Sequence, residues 1–199
     1  MSLSRHARWA ASTFFTAFAS AMWLLLAYTR LRAPSAMSVL LAAQSLLAAG
    51  RLVFRRAEKV NAPFHWKVVA WGSALLPLTL SGSPAAPGWR ELPGLLLQIG
   101  GLLFALWALW SLGPAFGIAP ADRGLVTAGP YRWVRHPAYA GEMVSILGYV
   151  LAHPSPWNGA MWLALAATIL LRARWEERVI EGYARYAQQV RWRLLPGVW

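Results

Sequence analysis

Between positions 129 and 142 the chain reads GPYRWVRHPAYAGE, which sets two arginines, a histidine, two tyrosines and a glutamate among mostly apolar neighbours. Pro137 is tolerated only in the first turn of a helix, so the pattern predicts a helix starting there with His136 at its cap. The free N–H groups of that first turn point back towards the preceding loop and make a seat for an anion such as a carboxylate. His136 and Tyr139 lie three apart and share a helix face, which Glu142 and Met143 continue. Tyr131 and Trp133 add aromatic faces just upstream, where a cation can be held. Anion-binding donors therefore sit beside cation-tolerant rings. Each residue also has a plainer reading: Arg132 and Arg135 as interfacial arginines, Tyr131 and Trp133 as belt aromatics, His136 as a capping side chain. Glu142 is harder to absorb, because a carboxylate this far into a spanning helix costs roughly 2–4 kcal/mol and normally marks a pairing or functional role.

The second polar group is RARWEE, positions 172–177. Arg172 and Glu176, four apart, share a helix face, in the order that is weaker for helix stability. Glu177 and Glu181 repeat a like-charge spacing on the neighbouring face. Arg174, Arg178 and Arg185 offer them partners, so a solvated salt-bridge face is the plain alternative. Yet only seven acidic residues occur in the chain, and three of them, Glu176, Glu177 and Glu181, fall in this short tail.

The surrounding chain must hold these groups in a membrane. Of 199 residues, 58% are hydrophobic and 13% charged, with mean hydropathy +0.42. Six apolar segments, at roughly 9–29, 36–54, 64–82, 94–113, 137–152 and 156–171, approach the ~20 residues of a spanning helix. The expected fold class is all-α, a polytopic membrane helix bundle of about six spans. The Pro-rich turn HPSP at 153–156 predicts that the last two segments form a helical hairpin. From Arg172 onward the composition predicts an amphipathic helix lying along the membrane surface. The segment SGSPAAPGWRELPG, 81–94, reads as an exposed loop. No cysteine is present, which removes thiolate metal sites, disulfides and a cysteine nucleophile.

The formal charge of +12 does not point to nucleic acid. Basic residues punctuate the ends of apolar segments instead of forming one stripe, which suits anionic lipid headgroups as partners. With six spans, one side holds Arg5, Arg8, the Arg51–Lys59 cluster, Arg123, Arg132, Arg135 and the basic tail. The other side holds little beyond Arg30, Arg32 and Arg90. That asymmetry predicts a multi-pass protein of the inner or plasma membrane, with both termini and the polar stretch cytoplasmic. Trp9, Trp66, Trp89 and Trp157 fall near segment ends, as interfacial aromatics do. A signal peptide fits the first segment less well, since its apolar run is too long and arginines follow it.

From LGPAFGIAPADRGLVTAGPYRWVRHPAYAG (112–141) through RARWEE to YARY and RLLPGVW, the C-terminal half resembles the isoprenylcysteine carboxyl methyltransferase family of integral membrane enzymes. The resemblance covers about 85 residues, and its specific parts are GLVTAGPYRWVRHPAYAG and an Arg separated by three residues from a Glu-Glu pair. Length predicts a single membrane domain over 1–199; the resemblance implies a methyltransferase core over 94–199 and leaves the N-terminal spans over 1–93, read from hydropathy, without a role. It also implies S-adenosylmethionine as cofactor, and no metal. The backbone at Arg123, Gly124, Leu125 and Val126 would line the adenosine. Tyr131, His136 and Tyr139 would hold the methionine portion, and Glu176 would accept from the ribose hydroxyls. Arg172 would face the methyl acceptor; from its position alone, and apart from the resemblance, Glu142 is a candidate base where the acceptor needs deprotonation. The cofactor pocket would be roofed by the C-terminal tail and open to the bilayer, from which a small lipophilic acceptor enters.

Methyl transfer from a sulfonium is an in-line displacement that needs alignment and a dry site more than strong acid–base groups. No βαβ pattern with a Gly-rich turn is readable, which argues against a soluble methyltransferase. Two departures bear on the acceptor. The helix LLLQIGGLLFALWALWS (95–111) has Gln98 as its strongly polar residue, where eukaryotic members have an additional arginine that helps to hold a carboxylate. The tail EERVIEGYARY also reaches its tyrosine pair early. Phospholipid N-methylation and thiol S-methylation therefore stand beside prenylcysteine carboxylate methylation. A non-enzymatic transporter or assembly factor is the alternative of another class, although transporters favour polar groups at mid-bilayer on several spans. Oligomeric state and the role of the first three spans are left open by these residues.

Overall fold

The computed structural model of the chain describes residues 17–18, 20–29, 32, 36–59, 63–81 and 88–197. Arg5, Arg8, Trp9, Arg30 and residues 82–87 of the expected 81–94 loop fall outside the described residues, and the last four residues of that loop are helical. In chain order the helices are α1 (Ser20–Thr29), α2 (Ala36–Val53), α3 (Phe64–Leu75), α4 (Glu91–Leu112), α5 (Pro137–Ala152), α6 (Pro156–Val179) and α7 (Tyr183–Gln189). Short 3-10 turns follow α3 at Leu76–Thr79 and α4 at Gly113–Ala115, and another precedes α5 at Gly129–Arg132. No strand forms among the described residues beyond one isolated bridge.

The α4–α5 pair is the frame of the molecule, and its sequence explains why. On α4 the buried positions include Gly94, Gln98, Gly101 and Ala105; on α5 they include Gly141, Ser145, Gly148 and Ala152. Both sets repeat at helical spacing, so each helix presents one stripe with almost no side chain. The backbones close on each other along it: a Cβ added to Gly101 would lie 2.4 Å from the Ser145 nitrogen, and one added to Gly148 would lie 2.5 Å from the Gly94 carbonyl oxygen. Small-residue stripes of this kind let helices pack by close van der Waals contact where lipid removes any hydrophobic drive between them. The opposite face of α4 carries exposed Leu92, Leu96, Leu103 and Trp110. The segment Glu91–Ala115 is long and apolar enough to cross a membrane, and only 33% of its most apolar window is buried. A helix greasy outside and small-residued inside is the inverse of a soluble core helix. Among the described residues it alone meets that combined length and apolarity, fewer than the six expected; α3 has 12 residues and α5 has 16.

The HPSP turn does join α5 to α6 directly. Ser155 caps α6 by accepting from the Asn158 N–H at 3.0 Å, with Pro156 at the first helical position. Asn158, fully buried, accepts from the Ser81 N–H at 2.9 Å and donates to the His153 carbonyl at 2.8 Å. Tyr149 donates to the Ser81 carbonyl as well, so the hairpin is stitched to the chain leaving α3. The N-terminal helices share a small core in which Trp23 packs against Leu52, Ala70 and Ile118.

One expectation changes. The helix that begins at Pro156 does not end near residue 171; it runs without interruption to Val179. RARWEE therefore extends the last apolar helix out of its greasy portion, and the separate tail helix is only Tyr183–Gln189. Continuous i to i−4 bonding carries Arg172 and Glu176 on a rigid rod instead of a surface strap.

Candidate functional site

The loop 113–136, the start of α5, the end of α6 and α7 line one partly open cavity. Arg123, Gly124, Leu125, Val126, Tyr131, His136, Tyr139, Arg172 and Glu176 all line it. Nine positions spread over 54 residues of sequence thus converge on one space. Glu142 is not among them and lines a neighbouring cavity instead.

His136 and Glu176 come from separate elements and meet inside. His136 Nδ1 lies 3.7 Å from Glu176 Oε2, while the Tyr139 hydroxyl donates to Glu176 Oε1. The imidazole's other nitrogen, Nε2, lies 3.3 Å from Glu177 Oε1 and 2.9 Å from the Tyr183 hydroxyl. His136 stacks with Tyr139 on one side and Tyr183 on the other. Burial disfavours the imidazolium, but hydrogen bonds to Glu176 and Glu177 outweigh it and hold the His136 pKa above its ordinary value. His136 is thus more than a helix cap, and it forms no side-chain capping bond. With Pro137 lacking an N–H, the first-turn amides of Ala138 and Tyr139 face a lining they themselves help to form.

Glu177 lies beyond the apolar stretch of α6 and clasps the C-terminal tail. It accepts from Arg193 Nε at 2.9 Å and Arg135 Nη1 at 3.1 Å. Burial raises its pKa, yet the hydrogen bonds from His136 and Arg193 and the nearby positive charges bring it down to about 2. The Arg135 and His136 amides donate to the Trp192 and Arg193 carbonyls, each at 2.8 Å. Val134 and Trp192 form a parallel bridge. Tyr186 donates to the Tyr131 carbonyl at 2.6 Å. The tail consequently closes one side of the cavity through Tyr183 and Tyr186. Arg135, expected as an interfacial arginine, is instead a partner of Glu177, whereas Trp133 is exposed and meets Trp107 edge-on. Glu181 pairs with Lys59 at 3.1 Å on the surface.

Arg172 is buried at 6% exposure. Its terminal nitrogens donate to Ser73 Oγ and the Ile118 carbonyl, each at 2.8 Å, and its carbon lies 4.8 Å over the Tyr139 ring. These two bonds use two of the five guanidinium N–H groups, so the terminal nitrogens of a fixed cation keep donors in a residue that lines the cavity. Arg172 and Glu176 share the cavity, as their spacing predicted, without forming an ion pair between them among the described residues.

The loop owes its shape partly to residues far upstream. Arg123, 5% exposed, donates to Glu58 at 2.6 Å and to the Ala119 carbonyl at 3.2 Å. Gly117 leaves room for it, since a Cβ there would sit 2.3 Å from the guanidinium carbon. Gly124 adopts φ +94°, a conformation that L side chains rarely adopt, and its N–H bonds Asp122 Oδ1 at 2.9 Å. The Lys59 amide donates to the Asp122 carbonyl and the Arg56 amide to the Pro114 carbonyl. The chain leaving α2 thus carries a structural duty at the site. Glu58 and Ser73 had no local signal: each acts through a contact spanning 65 and 99 residues of sequence.

An S-adenosylmethionine molecule would find matching groups here. Glu176 keeps lone pairs for hydroxyl donors, the positive charge of Arg172 suits an anion, and the aromatic rings suit a sulfonium.

The phospholipid methyltransferase family model matches residues 89–186. The protein YpbQ of Bacillus subtilis (strain 168), described as uncharacterized, is 26% identical over 117 residues, covering 56% of this chain and 68% of that protein. In fold, the chain is similar to the eukaryotic intramembrane Ras methyltransferase ICMT (isoprenylcysteine carboxyl methyltransferase), with TM-score 0.53 and 22% identity over 98% of this chain and 88% of that one. A membrane helix bundle is thereby the fold. With the family signature lying over α4, the loop, α5, α6 and the start of α7, the chain carries the phospholipid methyltransferase family signature on an isoprenylcysteine carboxyl methyltransferase-like fold, which supports a membrane methyltransferase.

Proposed function

We propose that this membrane methyltransferase uses S-adenosylmethionine, held in the cavity between the 113–136 loop, α5, α6 and α7, to methylate a small lipophilic acceptor that arrives from the bilayer. The observation that carries the reading is the meeting of His136 and Glu176, 3.7 Å apart, on one cavity. Two polar residues from separate helices converge where burial makes them costly unless they serve each other or a ligand. When bound, the cofactor supplies a methyl group already activated by its sulfonium charge.

The chain's own residues then have distinct tasks. Glu176, oriented by Tyr139 and His136, accepts hydrogen bonds from the ribose. Arg123 to Val126 form the wall for the adenosine, and Tyr131, Tyr139 and His136 hold the amino-acid end. Arg172, fixed by Ser73, the Ile118 carbonyl and the Tyr139 ring, brings a positive charge to the acceptor. Tyr183 and Tyr186, pinned by the tail, exclude water, which strengthens every electrostatic contact inside. The basic Arg51–Lys59 stretch and Arg123, Arg132 and Arg135 gather at the cavity's end of the bundle, which supports a cytoplasmic site in a multi-pass arrangement.

Calorimetric titration of the detergent-purified protein with S-adenosylhomocysteine tests this. Saturable binding is expected, and His136→Ala or Glu176→Gln should each weaken it by about tenfold or more, roughly 1.4 kcal/mol. Absence of saturable binding to the intact protein refutes the reading.

A further inference from the structure

A second cavity, about 1230 Å³, lies between α1, α2, the end of α3, α4 and α5. Its polar lining is Gln44, Ser45, Gln98, Glu142, Ser145 and Tyr149, and everything else facing it is apolar. The α5 residues continue the face that begins with His136 and Tyr139 at the first cavity. The two spaces therefore lie along one helix face.

Counting donors and acceptors shows what this lining can recognise. The Ser45 hydroxyl donates to the Leu41 carbonyl, and the Tyr149 hydroxyl donates to the Ser81 carbonyl. The Gln98 amide nitrogen turns to the Gly94 carbonyl at 3.4 Å. Ser45 and Tyr149 thus spend their only donor on protein and Gln98 one of its two, and each keeps an acceptor free. Glu142 is acceptor-only when ionised and forms no hydrogen bond or ion pair among the described residues. The Trp23 indole N–H has under 1 Å² accessible, so it does not open onto the cavity. What remains are the Gln44 amide and Ser145 hydroxyl, both neutral and both acceptors too. No lysine, arginine or histidine lines the space among the described residues. Arg172, which lines the first cavity, has its terminal nitrogens engaged by Ser73 and Ile118.

A carboxylate or phosphate end group brings only acceptors and negative charge, and it would face Glu142 with no cation in the cavity lining, since Arg172 acts on Glu142 only from the first cavity. An ammonium or amine brings donors and offsets the carboxylate. We infer that this cavity takes a phosphate-free lipophilic amine, its nitrogen against Glu142 and Gln98 and its chain among the apolar residues. Resting on the methyltransferase reading, this amine is the methyl acceptor. The ammonium passes a proton to the Glu142 carboxylate and frees its lone pair. The new N–C bond then forms as the sulfonium C–S bond breaks, and the electron pair stays on sulfur.

Binding of radiolabelled dodecylamine, dodecanol, dodecanoic acid and a short-chain phosphatidylethanolamine to the full chain in nanodiscs, at saturating S-adenosylhomocysteine, tests this. The amine should bind at least tenfold tighter than the acid, the alcohol or the phospholipid. Glu142→Gln should lose at least tenfold in amine binding, and Gln98→Leu about threefold, with S-adenosylhomocysteine affinity kept in both as the check on folding. Equal or tighter binding of the acid overturns the inference, as does phospholipid preference, parity of alcohol with amine, or an unchanged amine affinity in Glu142→Gln. If Glu142→Gln loses S-adenosylhomocysteine as well, Gln98→Leu decides alone. Failure of amine binding with S-adenosylhomocysteine still bound sinks only this inference; failure of both sinks the cofactor reading too.

Discussion

Replacing Glu177 by Gln should loosen the roof of the cofactor cavity without touching the cavity's own carboxylate. In the wild type, Glu177 accepts from Arg193, Arg135 and the His136 side, and its side chain is 13% exposed. Glutamine keeps the shape and one carbonyl oxygen but removes the charge that two arginines and an imidazole share. A fully exposed pair is worth about 0–1 kcal/mol, and stranding a buried charge costs about 3–5 kcal/mol. With Arg193 at 29% side-chain exposure and Arg135 at 10%, an intermediate loss of about 2 kcal/mol is expected. That converts to an undocked-tail population about 30-fold larger. Hydrogen exchange reads it directly: amide protection over Tyr183–Val190 should fall about 30-fold, while that of the α4–α5 pair stays unchanged. The pH dependence has a fixed sign. Because the folded Glu177 pKa is depressed to about 2, its stabilisation is complete above the ordinary carboxylate value and is lost as pH falls through the folded one. The raised His136 pKa acts in the opposite sense: its contribution is complete below the unfolded value near 6.5 and is lost as pH rises through the folded value. Tail protection should therefore be greatest in mildly acidic solution and decline on both sides. Unchanged protection in Glu177→Gln would show that apolar packing of Tyr183 and Tyr186, and not this charge cluster, holds the tail.

Two further outcomes follow from contacts away from the cavity. Gly141→Ala would place a Cβ 2.6 Å from the Ala105 nitrogen and the Gly101 carbonyl; α4 and α5 must separate, and thermal unfolding in detergent should show a loss of about 1–3 kcal/mol. Glu58→Ala removes the carboxylate that holds Arg123 at 2.6 Å, so S-adenosylhomocysteine affinity should fall about threefold to tenfold, with Glu58→Asp recovering part of it; an unchanged affinity would show that the Ala119 carbonyl alone keeps Arg123 in place.

Much of this site was legible in the chain because it is built from local chemistry. Pro137 dictates a helix start, so the placement of His136 and Tyr139 on one face followed from helical periodicity. The i, i+4 spacing of Arg172 and Glu176 put both on one cavity for the same reason. Ser155 and two prolines made the α5–α6 hairpin readable. Composition alone set the all-helical, membrane-embedded class, since a chain this apolar must satisfy its backbone within each segment.

Other features depend on which residues meet after the chain has folded back. Nothing near Glu58 signals that it holds Arg123, and nothing near Ser73 signals that it anchors Arg172. Arg135 looked like an interfacial arginine because its partners, Glu177 and the tail carbonyl of Arg191, are more than forty residues away. Glu142 shares a helix face with Tyr139, yet neighbouring turns of that face open onto different cavities. Periodicity assigns a side chain to a direction, and only the packing of α4 against α5, and of α2 against α4, determines what lies in that direction. The apolar pattern also breaks at Arg172 while the helix does not, because hydrogen bonding along the backbone is indifferent to side-chain polarity and the tail supplies Glu177 with partners. Local residue chemistry thus determined the helices and the functional groups they bear; the close backbone approach of α4 and α5, with the long-range ion pairs around it, decided which groups share a cavity.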